Sequence, residues 1–366
     1  MKPHSPSIMA HGRRWLKRHM SQNIQPARNA RIPDRTALIA GVRAGDRTML
    51  ARAITLVESR LPRHEIEAQA ILQALLPHTG RARRVGITGS PGVGKSTFIE
   101  TFGCQLVEHG HRVAVLTIDP SSARSHGSIL GDKTRMEKLC QSTQAFIRPS
   151  PAGEQLGGVA RRTRETMLLC EAAGFDVVLV ESVGVGQTEI ALRSMTDFFL
   201  LLLLPGAGDE LQGIKKGIVE MADLVAINKA DGENRQRAEL AAQDQAAALH
   251  YLQPATPGWV TEVILCSGRD GQGVDAIWKH IEKFYAQLGP CGGIEQRRQQ
   301  QSLAWLTDLI DDELKRRFYS NPCVSARLEQ SQRDLMAGQI TAVNAARLLL
   351  AATEPTNPFL PEPNKN

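Results

Sequence analysis

Seven short apolar runs, separated by segments with helical spacing, limit the fold of this chain more than any other feature of its sequence. Runs of three to seven mostly apolar residues are typical of strands buried on both faces, as in a parallel sheet. We therefore predict a doubly wound α/β domain with a mostly parallel central sheet over residues 81–289. The runs are Arg84–Thr88, Val113–Ile118, Ala145–Ile147, Val177–Val180, Phe198–Leu204, Leu224–Ile227 and Val263–Leu265.

Helical patterns flank this central domain on both sides. Asp34 and Asp46 each precede an apolar stripe and are predicted to cap a helix. A third stripe consists of Ile66, Ala70, Ile71, Ala74 and Leu75. The predicted organisation is a basic disordered tail over 1–33, N-terminal helices over 34–80, the α/β domain over 81–289, a C-terminal helical segment over 290–352 and a proline-rich tail over 353–366.

The positive charge of the chain is concentrated near its beginning. The net charge is +6, but residues 1–35 hold eight Lys/Arg against one acid, so the remaining chain carries 36 basic and 37 acidic side chains. A neutral body argues against a nucleic-acid partner. The basic segment lacks the apolar core of a secretory signal, and it fits a mitochondrial transit peptide, a bacterial extension or an over-long start with Met20 or a later residue as the true beginning. We expect a cytoplasmic protein, with the mitochondrial matrix as the alternative.

The strongest local motif follows the first apolar run. Residues 89–96 match G-x-x-x-x-G-K-[ST] at every fixed position and lead into a helical pattern. Such a loop turns its backbone N–H groups toward phosphate oxygens at a helix N-terminus. Lys95 is predicted to reach the β- and γ-phosphates, and the Ser96 hydroxyl to bind Mg²⁺. The predicted phosphate-binding residues are Gly89, Ser90, Pro91, Gly92, Val93, Gly94, Lys95, Ser96 and Thr97.

A second motif, Asn228-Lys229-Ala230-Asp231, follows the sixth apolar run. An Asp at its end can accept hydrogen bonds from N1–H and the 2-amino group of guanine, whereas adenine has neither donor. The motif therefore predicts a guanine site. The loop Ser267, Gly268 and Arg269 follows the next run and is expected to close over the base through its backbone.

Three acids are candidates for holding the metal ion, and all stand at the ends of runs or in the following loops. They are Asp119, Asp132 and Glu181. Mg²⁺ takes one or two carboxylates together with phosphate oxygens and water, so not all three need to bind it directly. Asp132 could instead cap a helix, and Asp119 could be a surface acid.

Longer strings around these residues resemble the MeaB/ArgK family of P-loop GTPases from about residue 36 to about residue 350. The strings are Val-Leu-Thr-Ile-Asp119-Pro-Ser-Ser, Gly127-Ser-Ile-Leu-Gly-Asp132-Lys-Thr-Arg-Met, Phe-Ile-Arg148-Pro, Glu181-Ser-Val-Gly-Val-Gly-Gln187 and Gly208-Asp-Glu-Leu-Gln-Gly-Ile-Lys215. The resemblance implies a P-loop NTPase fold with a mostly parallel central sheet, added N-terminal helices and a C-terminal helical dimerisation arm.

The resemblance also implies a function, that of a GTP-hydrolysing metallochaperone. Members of the family are homodimeric GTPases that guard adenosylcobalamin-dependent acyl-CoA mutases, with methylmalonyl-CoA mutase the expected client, and the cobalamin is carried by the client. Lys95, Ser96, Asp119, Asp132 and Glu181 match the family's Mg·GTP site, and Asp231 matches its guanine-reading residue. The resemblance also implies a loop that couples nucleotide state to the mutase, formed by Asp209, Gln212 and Lys215. Lys95 and Glu181 are the expected catalytic groups, and Gln187 either orients the attacking water or lies on the surface at a helix start.

The sequence departs from the family pattern at two places, and three alternative functions remain. This chain has Cys266-Ser267-Gly268 where the family usually has Cys-Ser-Ala, a change that a backbone-donating loop should tolerate. It also has His126-Gly127-Ser128 in place of Gly-Gly-Ser. The main alternative is a transport-associated kinase or ATPase for lysine, arginine or ornithine. A nickel-delivery GTPase and an RNA-targeting GTPase have less support. Arg124, Arg135 and Arg148 are candidate arginine fingers.

Overall fold

The computed structural model of the chain describes residues 34–59, 61–118, 136–149, 156–182, 187–206 and 216–353. Asp119, Asp132, Asp209, Gln212 and Lys215 lie outside these residues, as do Arg124, His126 and Arg135. The described chain divides into two compact units. The first comprises the described residues of Met1–Ala82 and Leu106–Val178, and the second comprises those of Arg83–Gln105 and Leu179–Asn366.

All seven apolar runs are strands of one parallel sheet, as predicted. The strand order is β3-β2-β4-β1-β5-β6-β7. Val85 pairs with Phe198, Val113 with Ala145, and Leu224 with both Leu200 and Glu262. The carboxyl ends of parallel strands meet at one edge of the sheet, where ligands of such folds bind. The strands are β1 (Arg83–Gly89), β2 (Val113–Ile118), β3 (Ala145–Arg148), β4 (Val177–Ser182), β5 (Phe198–Leu203), β6 (Leu224–Ile227) and β7 (Glu262–Leu265).

The first unit combines the N-terminal helices with β2 and β3. Asp34 accepts a hydrogen bond from the Thr36 N–H, and Asp46 accepts from Thr48 and Met49, so both predicted caps are confirmed. The helices of this unit are α1 (Arg35–Arg43), α2 (Arg47–Val57), α3 (Pro62–Leu75), α5 (Glu137–Gln141) and α6 (Leu156–Ala172), and a 3₁₀ turn spans Leu76–His78. Helix α4 (Lys95–Glu108) begins in the second unit and ends in the first.

The apolar stripe predicted for α3 is only partly correct. Ile71 and Leu75 are buried as expected, but Ile66 is 70% exposed. The buried face is completed by Ala68 and Leu72, which lie on the same side of the helix. The buried face of α3 is therefore rotated about the helix axis relative to the face predicted from its largest apolar side chains.

Arg148 is engaged inside the first unit. Its guanidinium donates to both carboxylate oxygens of Glu58, with Nε 3.0 Å from Oε1. Bidentate pairing of this kind gives a fixed geometry. An arginine finger must offer its guanidinium to a phosphate group. Because the guanidinium of Arg148 is paired with Glu58, the structure argues against that role for Arg148.

The second unit contains β1, β5, β6 and β7, together with the helices from α7 onward. Phe284 forms the centre of its aromatic core, with Phe198 and Trp259 packed edge-on at ring-centroid distances of 5.0 and 5.1 Å. Its helices are α7 (Gln187–Arg193), α8 (Lys216–Glu220), α9 (Arg235–Leu249), α10 (Val274–Leu288), α11 (Gly293–Ser320), α12 (Pro322–Met336) and α13 (Ala342–Ala351), with a 3₁₀ turn at Gly232–Asn234.

Helices α11 to α13 lie within residues 290–352, the segment that the sequence predicts to be helical. Helix α11 has 28 residues, which corresponds to about 42 Å at 1.5 Å per residue. Within the residues that the structure describes, no helix is long and apolar enough to cross a membrane.

Candidate nucleotide-binding site

The phosphate-binding motif lies where the sequence predicts it, between the end of β1 and the start of α4. Gly89, Gly92 and Gly94 all have positive φ angles, of 154°, 82° and 93°. A Cβ atom at Gly89 would lie 2.4 Å from the carbonyl oxygen of Leu202, so that position cannot carry a side chain without moving the backbone. The loop therefore has the strand–loop–helix geometry that cradles phosphate groups at a helix N-terminus.

The amine of Lys95 lies on the carbonyls of its own loop. Its Nζ atom donates to the oxygens of Gly89 at 2.7 Å and Ser90 at 3.2 Å, and the residue is only 8% exposed. Burial lowers the pKa of Lys95, while the negative charges of Glu181 and Glu189 act in the opposite direction. The phosphate oxygens of a nucleotide can replace these two carbonyls as acceptors for the ammonium group.

Glu189 is a buried acid that the sequence analysis missed. It lies on α7, two residues after Gln187; it is 1% exposed, and its carboxylate accepts a hydrogen bond from the Thr188 hydroxyl at 3.1 Å. Acids at the start of a helix are common at surfaces, so the local pattern alone gave no reason to place it inside. Gln187 begins α7, and the structure does not describe its side chain.

Two of the four predicted metal ligands lie together. The Ser96 hydroxyl is 3.4 Å from Oε1 of Glu181, which lies near the end of β4 in a buried position. A carboxylate and a hydroxyl are oxygen ligands of the type that Mg²⁺ prefers, and Mg²⁺ uses few protein ligands when phosphates bind it as well. The residues present therefore fit Mg²⁺. No cluster of three or more His, Cys, Asp or Glu side chains suited to a metal occurs in the described ranges, which exclude Asp119 and Asp132.

A buried pair of hydroxyl groups connects the strands that carry these residues. Thr88 Oγ1 and Ser182 Oγ are 2.7 Å apart, and both side chains are buried. Thr88 directly precedes Gly89, and Ser182 directly follows Glu181. The hydrogen bond therefore holds the acidic end of β4 in register with the base of the phosphate loop.

The Asn-Lys-x-Asp motif contacts the phosphate loop. Asn228 Nδ2 donates to the Val93 carbonyl at 2.8 Å, and Lys229 Nζ donates to the Gly92 carbonyl at 2.9 Å. Lys229 has a φ of 60°, a left-handed conformation uncommon for a residue other than glycine. These contacts place the predicted base site next to the predicted phosphate site.

The Asp231 carboxylate is fixed by a residue of the loop that follows β7. The Ser267 hydroxyl donates to Asp231 Oδ2 at 2.7 Å, and Ser267 is fully buried. The second carboxylate oxygen has no partner among the described residues, and such an arrangement is suited to reading N1–H and the 2-amino group of guanine. The Arg269 side chain is 83% exposed and lies 3.6 Å from the Asp270 carboxylate.

Comparison with known proteins agrees with this geometry. A family model described as methylmalonyl-CoA mutase-associated GTPase MeaB matches residues 50–323. The chain is 48% identical to the GTPase ArgK of Escherichia coli over 77% of this chain and 86% of that protein. It is 44% identical to the methylmalonic aciduria type A homolog, mitochondrial, of Mus musculus over 86% of this chain and 78% of that protein.

A solved structure has the same fold over nearly its whole length. This structure, described as LAO/AO transport system kinase, matches with a TM-score of 0.71 and 38% sequence identity, covering 87% of this chain and 96% of that one. Because the family model spans most of the sequence and the relatives match along most of their own length, the chain belongs to the MeaB family of P-loop GTPases.

Proposed function

We propose that this GTPase is a chaperone of an adenosylcobalamin-dependent acyl-CoA mutase, with methylmalonyl-CoA mutase as its expected client. It would gate loading of the cofactor and protect or reactivate the enzyme, with the cobalamin carried by the client. The observation that carries the proposal is a guanine-type site, with Asp231 held by Ser267, in a chain whose family description names that mutase.

Different residues of the site have different roles in GTP hydrolysis. In the reaction, the bond between the γ-phosphorus and the bridging oxygen breaks, a bond to the water oxygen forms, and the proton of the water passes to phosphate or solvent. Lys95 and the backbone N–H groups of the phosphate loop stabilise the negative charge on the phosphate oxygens. Ser96 and Glu181, with Asp119 and Asp132, would hold Mg²⁺, which supplies positive charge at the β- and γ-phosphates. We assign orientation of the attacking water to Gln187.

The partner would act through the loop with Asp209, Gln212 and Lys215. In the sequence, this loop lies between β5 and α8. We propose that the conformation of this loop changes with the nucleotide state. The proposed consequence is slow turnover in the isolated protein and faster turnover when the mutase docks.

The first experiment measures GTP turnover by the purified protein, alone and with each candidate mutase, with ATP as the control nucleotide. Stimulation of GTP hydrolysis by one mutase supports the chaperone function and identifies the client. If no mutase stimulates GTP hydrolysis while the preference for guanine nucleotides is intact, the mutase assignment is contradicted and the GTPase activity alone is retained. In the Asp231→Asn variant we expect preference to move from GTP toward xanthosine triphosphate, and unchanged preference would contradict the guanine site.

The exposed apolar stripe of α11 supports a homodimer. Leu303, Leu306, Ile310 and Leu314 recur at helical spacing and are 50–66% exposed in the single chain. We propose that a second copy covers this stripe. Light scattering should give about twice the chain mass of 40.0 kDa, and Leu306→Glu should give monomers. Lys315→Glu, on another face of the same helix, is the matched control, and a wild-type monomer would contradict the dimer.

A kinase or ATPase acting in transport of lysine, arginine or ornithine is the second candidate. It is favoured by the description of the solved relative, LAO/AO transport system kinase. The two candidates differ in the fate of the phosphoryl group. Release of all γ-phosphate as inorganic phosphate favours the GTPase chaperone, whereas transfer to a protein acceptor, with ATP as the better donor, favours the kinase.

Localisation follows from the same relatives. We propose a cytoplasmic protein, and the alternative is the mitochondrial matrix, because the mouse relative is named as mitochondrial. No nucleic-acid or membrane partner is proposed, because the chain apart from residues 1–35 is close to neutral.

A further inference from the structure

The loop that follows β7 lies unusually close to helix α4. A Cβ atom at Gly268 would come within 2.8 Å of Phe98 Cα and 3.0 Å of Phe98 N, so the backbone itself forms the contact. A Cβ atom at Gly271 would lie 3.2 Å from Gln105 Nε2. The glycine that replaces the usual alanine in Cys266-Ser267-Gly268 therefore allows a closer approach of the loop to the helix.

Both peptide groups that flank Gly268 are held by side chains. The Gly268 N–H donates to Asn228 Oδ1 at 2.9 Å, and the Gly268 carbonyl accepts from the Thr101 hydroxyl at 2.6 Å. Thr101 lies on α4, and no motif identified in the sequence contains it. Glycine has more backbone freedom than alanine. The loop conformation at Gly268 therefore depends on these two hydrogen bonds.

One backbone donor of this loop remains for a ligand. From Cys266 to Gly271, five of the six N–H groups donate to protein acceptors: Cys266 to Ile227, Ser267 to Gln272, Gly268 to Asn228, Asp270 to the Ser267 hydroxyl and Gly271 to Ser267. The Arg269 N–H has no acceptor among the residues that the structure describes. The C=O and N–H of a trans peptide point in opposite directions, so the bond from Thr101 turns the Arg269 N–H away from α4.

We propose that Thr101 is a positioning residue for nucleotide specificity, which aims the Arg269 N–H at the 6-oxo group of guanine. This inference rests on the proposed guanine site. Asp231 reads the N1–H and 2-amino side of the base, and the Arg269 N–H reads the acceptor at position 6. Adenine carries an amino donor at that position, so a fixed N–H donor faces a second donor and rejects it. The base is thus read by two groups, of which Ser267 holds one and Thr101 the other.

The test compares nucleoside diphosphates that differ at one position of the base. Dissociation constants for GDP, IDP, 6-thio-GDP and pyrophosphate are measured by competition with a fluorescent GDP for wild type, Thr101→Val and Thr101→Ser, and the constant for ADP is measured in the same way for wild type. IDP lacks the 2-amino group but keeps the 6-oxo group, and 6-thio-GDP replaces the oxygen with a weaker acceptor. Pyrophosphate probes the phosphate loop alone, which matters because Thr101 and that loop share α4.

We expect Thr101→Val to weaken GDP and IDP by about tenfold each, the effect of one misplaced hydrogen bond, and 6-thio-GDP by clearly less. Thr101→Ser should restore wild-type affinity, and pyrophosphate should bind all three proteins equally. Equal losses for all four ligands would mean general damage to α4 and would overturn the proposal, as would no loss for GDP. A wild-type protein that does not prefer GDP to ADP would instead refute the guanine site on which the proposal depends.

Discussion

The buried carboxylate of Asp197 provides a quantitative test of how the C-terminal helices are attached. Asp197 precedes β5 and is fully buried. It accepts hydrogen bonds from Arg298 Nε at 2.8 Å and Nη2 at 2.6 Å, from the Tyr285 hydroxyl at 2.7 Å and from the Arg84 N–H at 3.2 Å. Arg298 lies in the second turn of α11, so this ion pair holds the base of the long helix against the sheet.

Replacing only the cation should be costly. In Arg298→Met, the buried carboxylate keeps two neutral donors but loses the cation that is paired with it, while Arg297 still donates to the Asp197 backbone carbonyl. Breaking a buried pair in this way costs about 3–5 kcal/mol. Removing both charges should cost much less, because no buried charge is then left unpaired. We expect the double variant Asp197→Asn/Arg298→Met to recover more than half of the loss.

Urea unfolding of the nucleotide-free protein, followed by far-UV circular dichroism, measures both effects. Arg316→Met on the same helix is the matched control, because it removes an exposed pair with Glu313 and should leave the midpoint almost unchanged. A loss below about 1 kcal/mol in Arg298→Met would refute the reasoning, since it would mean that the carboxylate is rehydrated or protonated at little cost. A double variant as unstable as the single one would refute it as well, because packing and not charge would then dominate.

Three further predictions concern buried groups of the same unit. Burial raises the pKa of Tyr285 well above its usual value. We therefore expect the phenol to stay protonated in the folded protein above about pH 10, and the free energy of unfolding to fall as pH rises past the ordinary pKa of an unfolded tyrosine; an ultraviolet titration of native protein checks this. Gly86→Ala should lower stability by about 1–3 kcal/mol in urea unfolding, because its Cβ would lie 2.7 Å from the Thr196 hydroxyl. Burial raises the pKa of the Cys266 thiol to about 12, so mass spectrometry after iodoacetamide treatment at about pH 8 should find exposed Cys291 modified and Cys266 intact.

The strands and the phosphate loop could be predicted because their determinants are local. A continuous apolar run such as Phe198–Leu203 suits only a position buried on both faces, and a glycine pattern such as that around Gly92 and Gly94 is required by the φ angles of the loop itself. The caps at Asp34 and Asp46 belong to the same class, because the capping side chain and the capped N–H are two or three residues apart.

Residues whose roles depend on distant parts of the chain were predicted wrongly. Ile66 looked like a core residue from its size and spacing, yet it is exposed, since the face of α3 that is buried depends on what packs against it. Arg148 looked available as an arginine finger, but it pairs with Glu58, which lies 90 residues away. Neither the elements that pack against α3 nor the ion-pair partner of Arg148 can be identified from the local sequence.

The family, the parallel sheet and the positions of the phosphate loop and the Asn-Lys-x-Asp motif could all be read from the amino-acid sequence, because each is encoded in a short string. Three features emerged from the folded chain alone: Glu189 is buried near Lys95, Thr88 and Ser182 join two strands, and Thr101 holds the Gly268 carbonyl. Two of these contacts join residues 94 and 167 positions apart, and the other buries a charge that local pattern places at the surface. Hydrogen bonding and burial depend on distance in space, and strand order, not sequence separation, sets that distance.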